Sequence, residues 1–276
     1  MPHPHPLRVG VLVSGGGTNL QAILDAVREG RLPARVVFVG ADNAEAKGLE
    51  RARACGVPTF VVPYREILAR FAEDPPHALP PPDFSLAEAR ARQRLRPAAG
   101  DPRLDRFLAS RAAAEAELLA AMRPYPFDLL VLAGFMRVLT PYFIDRVNAG
   151  ADPPRIMNIH PALLPAFPGT DGYGDTFRHG CKVAGCTVHF VDYGEDTGPI
   201  IGQRAFPIEE GDTLEAVRRK GLEHEWRLYP ECIRLYAEGR LRTERRVYEL
   251  PGGRRLARTV VVIAPGPPPP APDAAA

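Results

Sequence analysis

Between residues 7 and 62 the chain alternates short apolar runs with stretches whose apolar residues recur at helical spacing, and this alternation restricts the fold more than any other feature. The run Leu7–Val13 ends in Ser14-Gly15-Gly16-Gly17, after which Leu20, Ile23, Leu24 and Val27 fall on one helical face. Apolar runs at 36–40 and 59–62 bracket a helical stretch at 44–55. The order reads β-α-β-α-β. Strands without polar alternation are buried on both sides, and strand-helix-strand units close by right-handed crossovers. The expectation is an α/β fold: a mainly parallel open sheet with helices on both faces.

The stretch 74–102 interrupts this rhythm with Pro75-Pro76, Pro80-Pro81-Pro82, Pro97 and Pro102 around a short basic helical pattern, and reads as an insertion. Helical periodicity returns at 103–122, and buried-strand runs follow at 127–133, 155–159 and 183–191. Residues 192–198 are turn-rich, and 199–208 reads as an antiparallel neighbour of the strand before it. The last long helix, 212–237, opens on the capping sequence Asp212-Thr213-Leu214-Glu215. Residues 245–250 and 259–263 suit a small hairpin around Pro251-Gly252-Gly253. One domain, residues 7–263, is expected between a flexible leader at 1–6 and a disordered Pro- and Ala-rich tail at 264–276. A chain of 276 residues can bury a core of that size without disulfides.

With 35 basic and 33 acidic side chains the net charge is +2, so nothing points to a nucleic-acid or membrane partner, and any anion is bound locally. Cys55, Cys181, Cys186 and Cys232 form no Cys-x-x-Cys pair, which suits reduced thiols in a cytoplasmic protein. No apolar run reaches membrane-spanning length. No metal site is expected, and nothing in the sequence sets an oligomeric state.

Three segments can carry chemistry. In Ser14-Gly15-Gly16-Gly17-Thr18-Asn19, glycines let backbone amides crowd together at a helix start, where unpaired donors and the helix dipole suit a phosphate. The dinucleotide pattern Gly-x-Gly-x-x-Gly is not completed, because Leu20 holds its last position. Asn158-Ile159-His160-Pro161 follows a buried run, at a strand end of the kind where ligands gather in open α/β sheets. Residues two apart on a strand point the same way, so an amide donor and an imidazole can address one substrate atom. Asp196, in Glu195-Asp196-Thr197-Gly198-Pro199, is either a turn residue or the carboxylate that orients His160. His189 lies between apolar neighbours and reads as a core histidine.

With these pieces the chain resembles the glycinamide ribonucleotide formyltransferase family, folate-dependent enzymes of purine biosynthesis. The resemblance is carried by Ser14-Gly-Gly-Gly-Thr-Asn-Leu-Gln-Ala-Ile23, Gly48-Leu-Glu-Arg-Ala52, Leu132-Ala-Gly-Phe-Met-Arg-Val-Leu139, Asn158-Ile-His-Pro161 with Leu163-Leu164-Pro165, Gly185-Cys-Thr-Val-His-Phe190, and Asp196-Thr-Gly-Pro199. It spans roughly residues 7–242 and excludes the insertion and both ends. It implies a Rossmann-like formyltransferase fold, with the ribonucleotide phosphate on Gly16, Gly17, Thr18 and Asn19. A glutamate of the last long helix would hold the ribose. Spacing to Tyr229-Pro230 favours Glu225, whereas the family's Glu-His pair is seen at Glu223-His224.

The resemblance further implies 10-formyltetrahydrofolate as cosubstrate, bound against Met136, Arg137, Val138 and Leu139 and the loop holding Asp192 and Glu195. Arg111, in Ser110-Arg111-Ala112-Ala113, is carried over as a residue near it. Asn158, His160 and Asp196 become the catalytic trio: Asn158 and His160 stabilise the oxyanion of a tetrahedral intermediate, and Asp196 assists proton transfer. The chain departs from the family at Thr170-Asp171-Gly172-Tyr173-Gly174-Asp175, so contacts of that loop do not carry over. Rival readings are a 10-formyltetrahydrofolate hydrolase, a methionyl-tRNA formyltransferase, and a nucleotide- or folate-binding protein without catalysis. The glycine loop suits a phosphorylated small-molecule acceptor better than these.

Overall fold

A computed structural model of the chain describes residues 5–73, 80–95 and 101–265. Residues 1–4 of the expected leader, 74–79 and 96–100 of the insertion and 266–276 of the expected tail lie outside the described residues. The chain runs β1 (Leu7–Val13), α1 (Thr18–Arg28), β2 (Ala34–Ala41), α2 (Lys47–Ala54), β3 (Thr59–Val61), α3 (Tyr64–Glu73), α4 (Leu86–Arg92) and α5 (Pro102–Met122). It continues through β4 (Leu129–Leu132), α6 (Pro141–Val147), β5 (Ile156–His160), α7 (Gly172–Arg178), β6 (Val183–Phe190), β7 (Ile200–Pro207) and α8 (Leu214–Ala237). A hairpin of β8 (Leu241–Leu250) and β9 (Arg254–Ile263) closes the described chain.

Seven strands form one sheet in the order β3-β2-β1-β4-β5-β6-β7. The first five are mutually parallel, and β6 runs antiparallel to both β5 and β7. The period-2 alternation of strands splits the core in two. Leu7, Val9, Val11 and Val13 of β1 pack with Leu20, Ile23 and Leu24 of α1 and Tyr229 and Ile233 of α8. On the opposite face Leu12, Leu130, Leu132 and Ile156 pack with Tyr64, Leu118, Phe143 and Ile144, from α3, α5 and α6. The α/β expectation is met, with helices on both faces. The order also places β2 and β4 on either side of β1, so the segments leaving β1 and β4 diverge. Their C-terminal ends frame the crevice where such sheets take ligands.

Three helices have no counterpart in the sequence reading, each for a physical reason. In α6 five of seven side chains, Pro141, Tyr142, Phe143, Ile144 and Val147, are buried, so its short polar stretch is too small to give a helical period. Helix α7 contains Gly172 and Gly174, which have low helix propensity, and α3 lies between Pro63 and the prolines of the insertion. The terminal hairpin is longer than expected: ten residue pairs from Leu241↔Ile263 to Leu250↔Arg254, with charged side chains masking the strand pattern.

Candidate functional site

Asn158 and His160 occupy alternate positions near the end of β5, on the face that carries Ile156 into the core. Antiparallel register sets His189 of β6 directly opposite Asn158. After β6 the chain turns back through 192–199 and delivers Asp196 to the same place. The carboxylate meets both strand residues: Oδ2 lies 3.1 Å from His160 Nδ1, and Oδ1 accepts from Asn158 Nδ2 at 3.4 Å. The Gly169 amide also donates to Oδ2, at 2.9 Å. His189 Nε2 lies 3.5 Å from Oδ1 and 3.3 Å from Asn158 Nδ2, and its Nδ1 donates to the Phe190 carbonyl at 2.9 Å.

Two consequences follow. His160 Nε2 donates to the Phe167 carbonyl at 2.7 Å while Nδ1 faces Asp196. Only a ring protonated on both nitrogens satisfies both acceptors. For Asp196, burial opposes the charged form. The His189 hydrogen bond, the adjacent His160 and the Gly169 amide outweigh burial and hold the carboxyl below its ordinary range. Asp196 adopts φ 53°, a left-handed conformation that Asp tolerates better than most residues.

A cavity of about 470 Å³ opens on this cluster, a size typical of small-molecule sites. One arm is lined by Leu132, Phe135, Val138, Leu139 and Val191 with the backbone of 134–139 and the 192–196 loop. Met136 stands exposed at its rim, and Arg137 is tied to buried Asp42 through Nε at 2.5 Å. The other arm ends on polar groups: Glu225, 5% exposed, accepts from Asn19 Nδ2 at 2.6 Å and from the Tyr173 hydroxyl at 2.7 Å. Burial raises the Glu225 carboxyl above its ordinary value against the pull of those two donors. Glu223 is exposed on the same helix and does not line the cavity, whereas Glu225 does.

The glycine loop lies next to this polar arm, joined to it through Asn19. Gly17 is the N-cap of α1 with φ 68°, and a Cβ there would lie 2.6 Å from Gly48 Cα, so the turn requires glycine on both counts. Ser14 Oγ accepts the Met136 amide at 2.9 Å, locking the loop to the segment after β4.

The cavity gathers Asn19, Met136, Arg137, Val138, Leu139, Asn158, His160, Asp192, Glu195, Asp196 and Glu225 of the expected site residues. It does not gather Gly16, Gly17 and Thr18, which lie beside its polar arm, or Arg111. Arg111 sits on α5 with its guanidinium 5.2 Å from the Phe107 ring and 6.0 Å from the Tyr64 ring, and its Nε and Nη1 are buried without a hydrogen-bond partner.

Two residues of this site were not reached from sequence. His189 reads as core because its neighbours are apolar, and only the cross-strand register reveals its part in the cluster. Tyr173 lies in the segment that departs from the family pattern. Its ring packs where Gly221 of α8 leaves room, since a Cβ on Gly221 would lie 2.1 Å from that ring. Among the described residues no group of three or more His, Cys, Asp or Glu is arranged to hold a metal ion, and no helix is long and apolar enough to cross a membrane.

A family model described as formyl transferase matches residues 7–233. Phosphoribosylglycinamide formyltransferase of Bacillus subtilis is 34% identical over 229 residues, covering 82% of this chain and 93% of that protein. The enzyme of the same name from Mycobacterium tuberculosis is 38% identical over 220 residues, covering 80% of each. Glycinamide ribonucleotide transformylase 1 from Symbiobacterium toebii superposes with a TM-score of 0.68 at 42% identity, covering 95% of this chain and 96% of that one.

Proposed function

The chain belongs to the formyl transferase family, and from that premise we propose that it transfers the formyl group of 10-formyltetrahydrofolate to the amine of glycinamide ribonucleotide, in de novo purine biosynthesis in the cytoplasm. The observation that carries this reading is the cavity on which Asp196 contacts both Asn158 and His160, between an apolar lining and a polar one. One arm has the apolar walls and backbone edges that suit a flat, partly polar ring system. The other ends on a buried carboxylate suited to sugar hydroxyls, beside a glycine turn suited to a phosphate. The donor therefore occupies the arm of Met136, Val138, Leu139 and Asp192, and the acceptor the arm of Glu225, with its phosphate on Gly16, Gly17, Thr18 and Asn19. Residues 7–263 act as one domain, with 74–102 inserted in it.

In this reading the acceptor amine attacks the formyl carbon at the junction. A new carbon–nitrogen bond forms, and the formyl oxygen gains negative charge. The Asn158 amide donates to that oxygen, and the protonated His160 ring joins it as its Nε2–H exchanges the Phe167 carbonyl for the substrate while Nδ1–H stays on Asp196. Asp196 holds His160 charged and oriented and assists the amine proton toward the folate nitrogen as the old carbon–nitrogen bond breaks. Confining both reactants to adjoining arms supplies much of the rate through orientation.

The test is to incubate purified protein with 10-formyltetrahydrofolate with and without glycinamide ribonucleotide, following deformylated folate and free formate. Folate deformylation that depends on the acceptor and releases no formate is expected. Equal deformylation without the acceptor, with stoichiometric formate, would assign a hydrolase instead.

A further inference from the structure

We infer that residues 80–95, the central part of the proline-rich insertion, form a strap that positions the loop carrying Asp196 and thereby tunes binding of the formyl donor. This rests on the donor site proposed above. The strap has its own seat on the domain. Asp83 accepts from the Tyr142 hydroxyl at 3.1 Å and from Arg146 at 2.6 Å, and Phe84 meets the Tyr142 ring edge-on. Farther along, α4 packs Ala89 against Leu104 and Leu108 of α5, and Arg90 pairs with Asp105.

From that seat the strap reaches the 192–196 loop at two points. The Arg94 backbone amide donates to the Tyr193 carbonyl at 2.9 Å, a strand-like bond between the insertion and the loop. Asp145 of α6 then acts as a shared anchor: one carboxylate oxygen accepts from Arg92 Nη1 at 2.5 Å and the other from the Tyr193 hydroxyl at 2.5 Å. Strap, α6 and loop are thus joined through one side chain. Arg94 also faces Asp192 across 3.7 Å, but Arg94 is exposed and such a pair contributes little.

The loop needs external support for two reasons. Asp196 must keep a left-handed φ of 53° to present its carboxylate to His160, a conformation that carries backbone strain for any residue other than glycine. The loop's internal bonds, from the Gly194 amide and the Thr197 hydroxyl to Asp192, tie it only to itself. Beyond the contacts that Asp196 itself makes with Gly169, Asn158, His160 and His189, the loop's outward tether is Tyr193, the residue that meets both the strap and Asp145. A loop held in its binding conformation before the ligand arrives binds more tightly than one that must be ordered. Tyr193, Asp145 and Arg92 are positioning residues in this account, and none of them lines the cavity.

The experiment compares full-length wild type with Tyr193→Phe, which removes only the hydroxyl, and with Asp145→Ala, which removes the shared anchor. Amide hydrogen exchange is measured across 192–197, and KM is determined separately for donor and acceptor. Exchange in the loop should accelerate in both variants, and donor KM should rise about tenfold in Asp145→Ala and less in Tyr193→Phe, with kcat falling in the same order as the Asp196 carboxylate loses its placement and acceptor KM within about twofold of wild type. Restoring a shorter cation with Arg92→Lys should keep donor KM lower than Arg92→Ala does. Unchanged exchange overturns the strap. So does faster exchange with an unchanged donor KM, or a parallel rise in both KM values that tracks a lower thermal midpoint. Exchange needs no turnover. A wild-type protein that transfers no formyl group yet shows strap-dependent exchange would leave the strap standing and remove the formyl-transfer reading.

Discussion

Asn158 and His160 reach the proposed reaction centre from a buried strand, whereas Asp196 reaches it from a surface loop, and the two modes of delivery divide the site. The strand pair inherits its geometry from the sheet: β5 is held by β4 on one side and β6 on the other, and the pleat alone aims alternate side chains the same way. The carboxylate inherits nothing of that kind. It is placed by a left-handed φ, by the Gly169 amide and by the tether through Tyr193. Rigid elements therefore hold the groups assigned to the developing charge, and a more deformable one holds the group assigned to moving the proton.

The comparison can be broken most decisively at His160. His160→Ala should lower kcat by about a hundredfold to a thousandfold, with both KM values near wild type, as measured by steady-state transfer. A fall confined to KM would move His160 out of the reaction centre. Asp196→Asn should cost somewhat less, on the order of a hundredfold, and Asp196→Gly should lose as much while relieving the left-handed backbone. If Asp196→Gly is less thermostable than Asp196→Asn, the backbone argument fails.

The same aspartate gives a pH test. Its folded value lies below the ordinary 3.8, so its contribution to stability is present above that value and is lost as pH falls through the folded one. Acid unfolding of wild type should therefore steepen below pH 3.8 relative to Asp196→Asn, as read by denaturant midpoints at stepped pH. Identical acid limbs would show that the loop carboxylate gains nothing from its neighbours.

At the polar arm, Glu225→Gln should raise acceptor KM about tenfold and leave donor KM unchanged, since it removes only the charged acceptor for sugar hydroxyls. A shift in donor KM instead would reverse the assignment of the two arms.

The smallest effect concerns Glu115, which accepts from the Thr140 amide at 2.7 Å and lies behind the site. Burial pushes its carboxyl up to about 8 from an ordinary 4.5. A folded value above the unfolded one means stability that is complete below 4.5 and is lost as pH rises to about 8. Across that interval wild type should lose stability that Glu115→Gln keeps, as read by denaturant midpoints at stepped pH. Parallel pH profiles would show the site to be solvated.

The strand side of the site was legible and the loop side only partly so. Runs such as Leu7–Val13 announce strands buried on both faces, and their alternation with helices leaves one class of sheet. Asn158 and His160 follow from that, because a period of two needs no tertiary information. Asp196 was reached through its Gly-Pro setting and the family resemblance, and no local pattern sets its distance to His160. His189 depends on register between β5 and β6, which pairs residues 31 apart. Tyr173 sits on a glycine-containing helix that carries no helical signal, and it meets Glu225 from 52 residues away. Glu225 is favoured over Glu223 by its spacing to Tyr229-Pro230, while the family's Glu-His pair points to Glu223, and burial is what distinguishes the two in the fold. What sequence withheld in each case was a contact between distant segments.

The most direct measurement is a double-mutant cycle on kcat for His160→Ala, Asp196→Asn and the combined variant. If the aspartate acts through the imidazole it orients, the combined variant should be no slower than His160→Ala alone. Losses that simply multiply would mean that the two groups act independently, and the shared reaction centre argued for here would not exist.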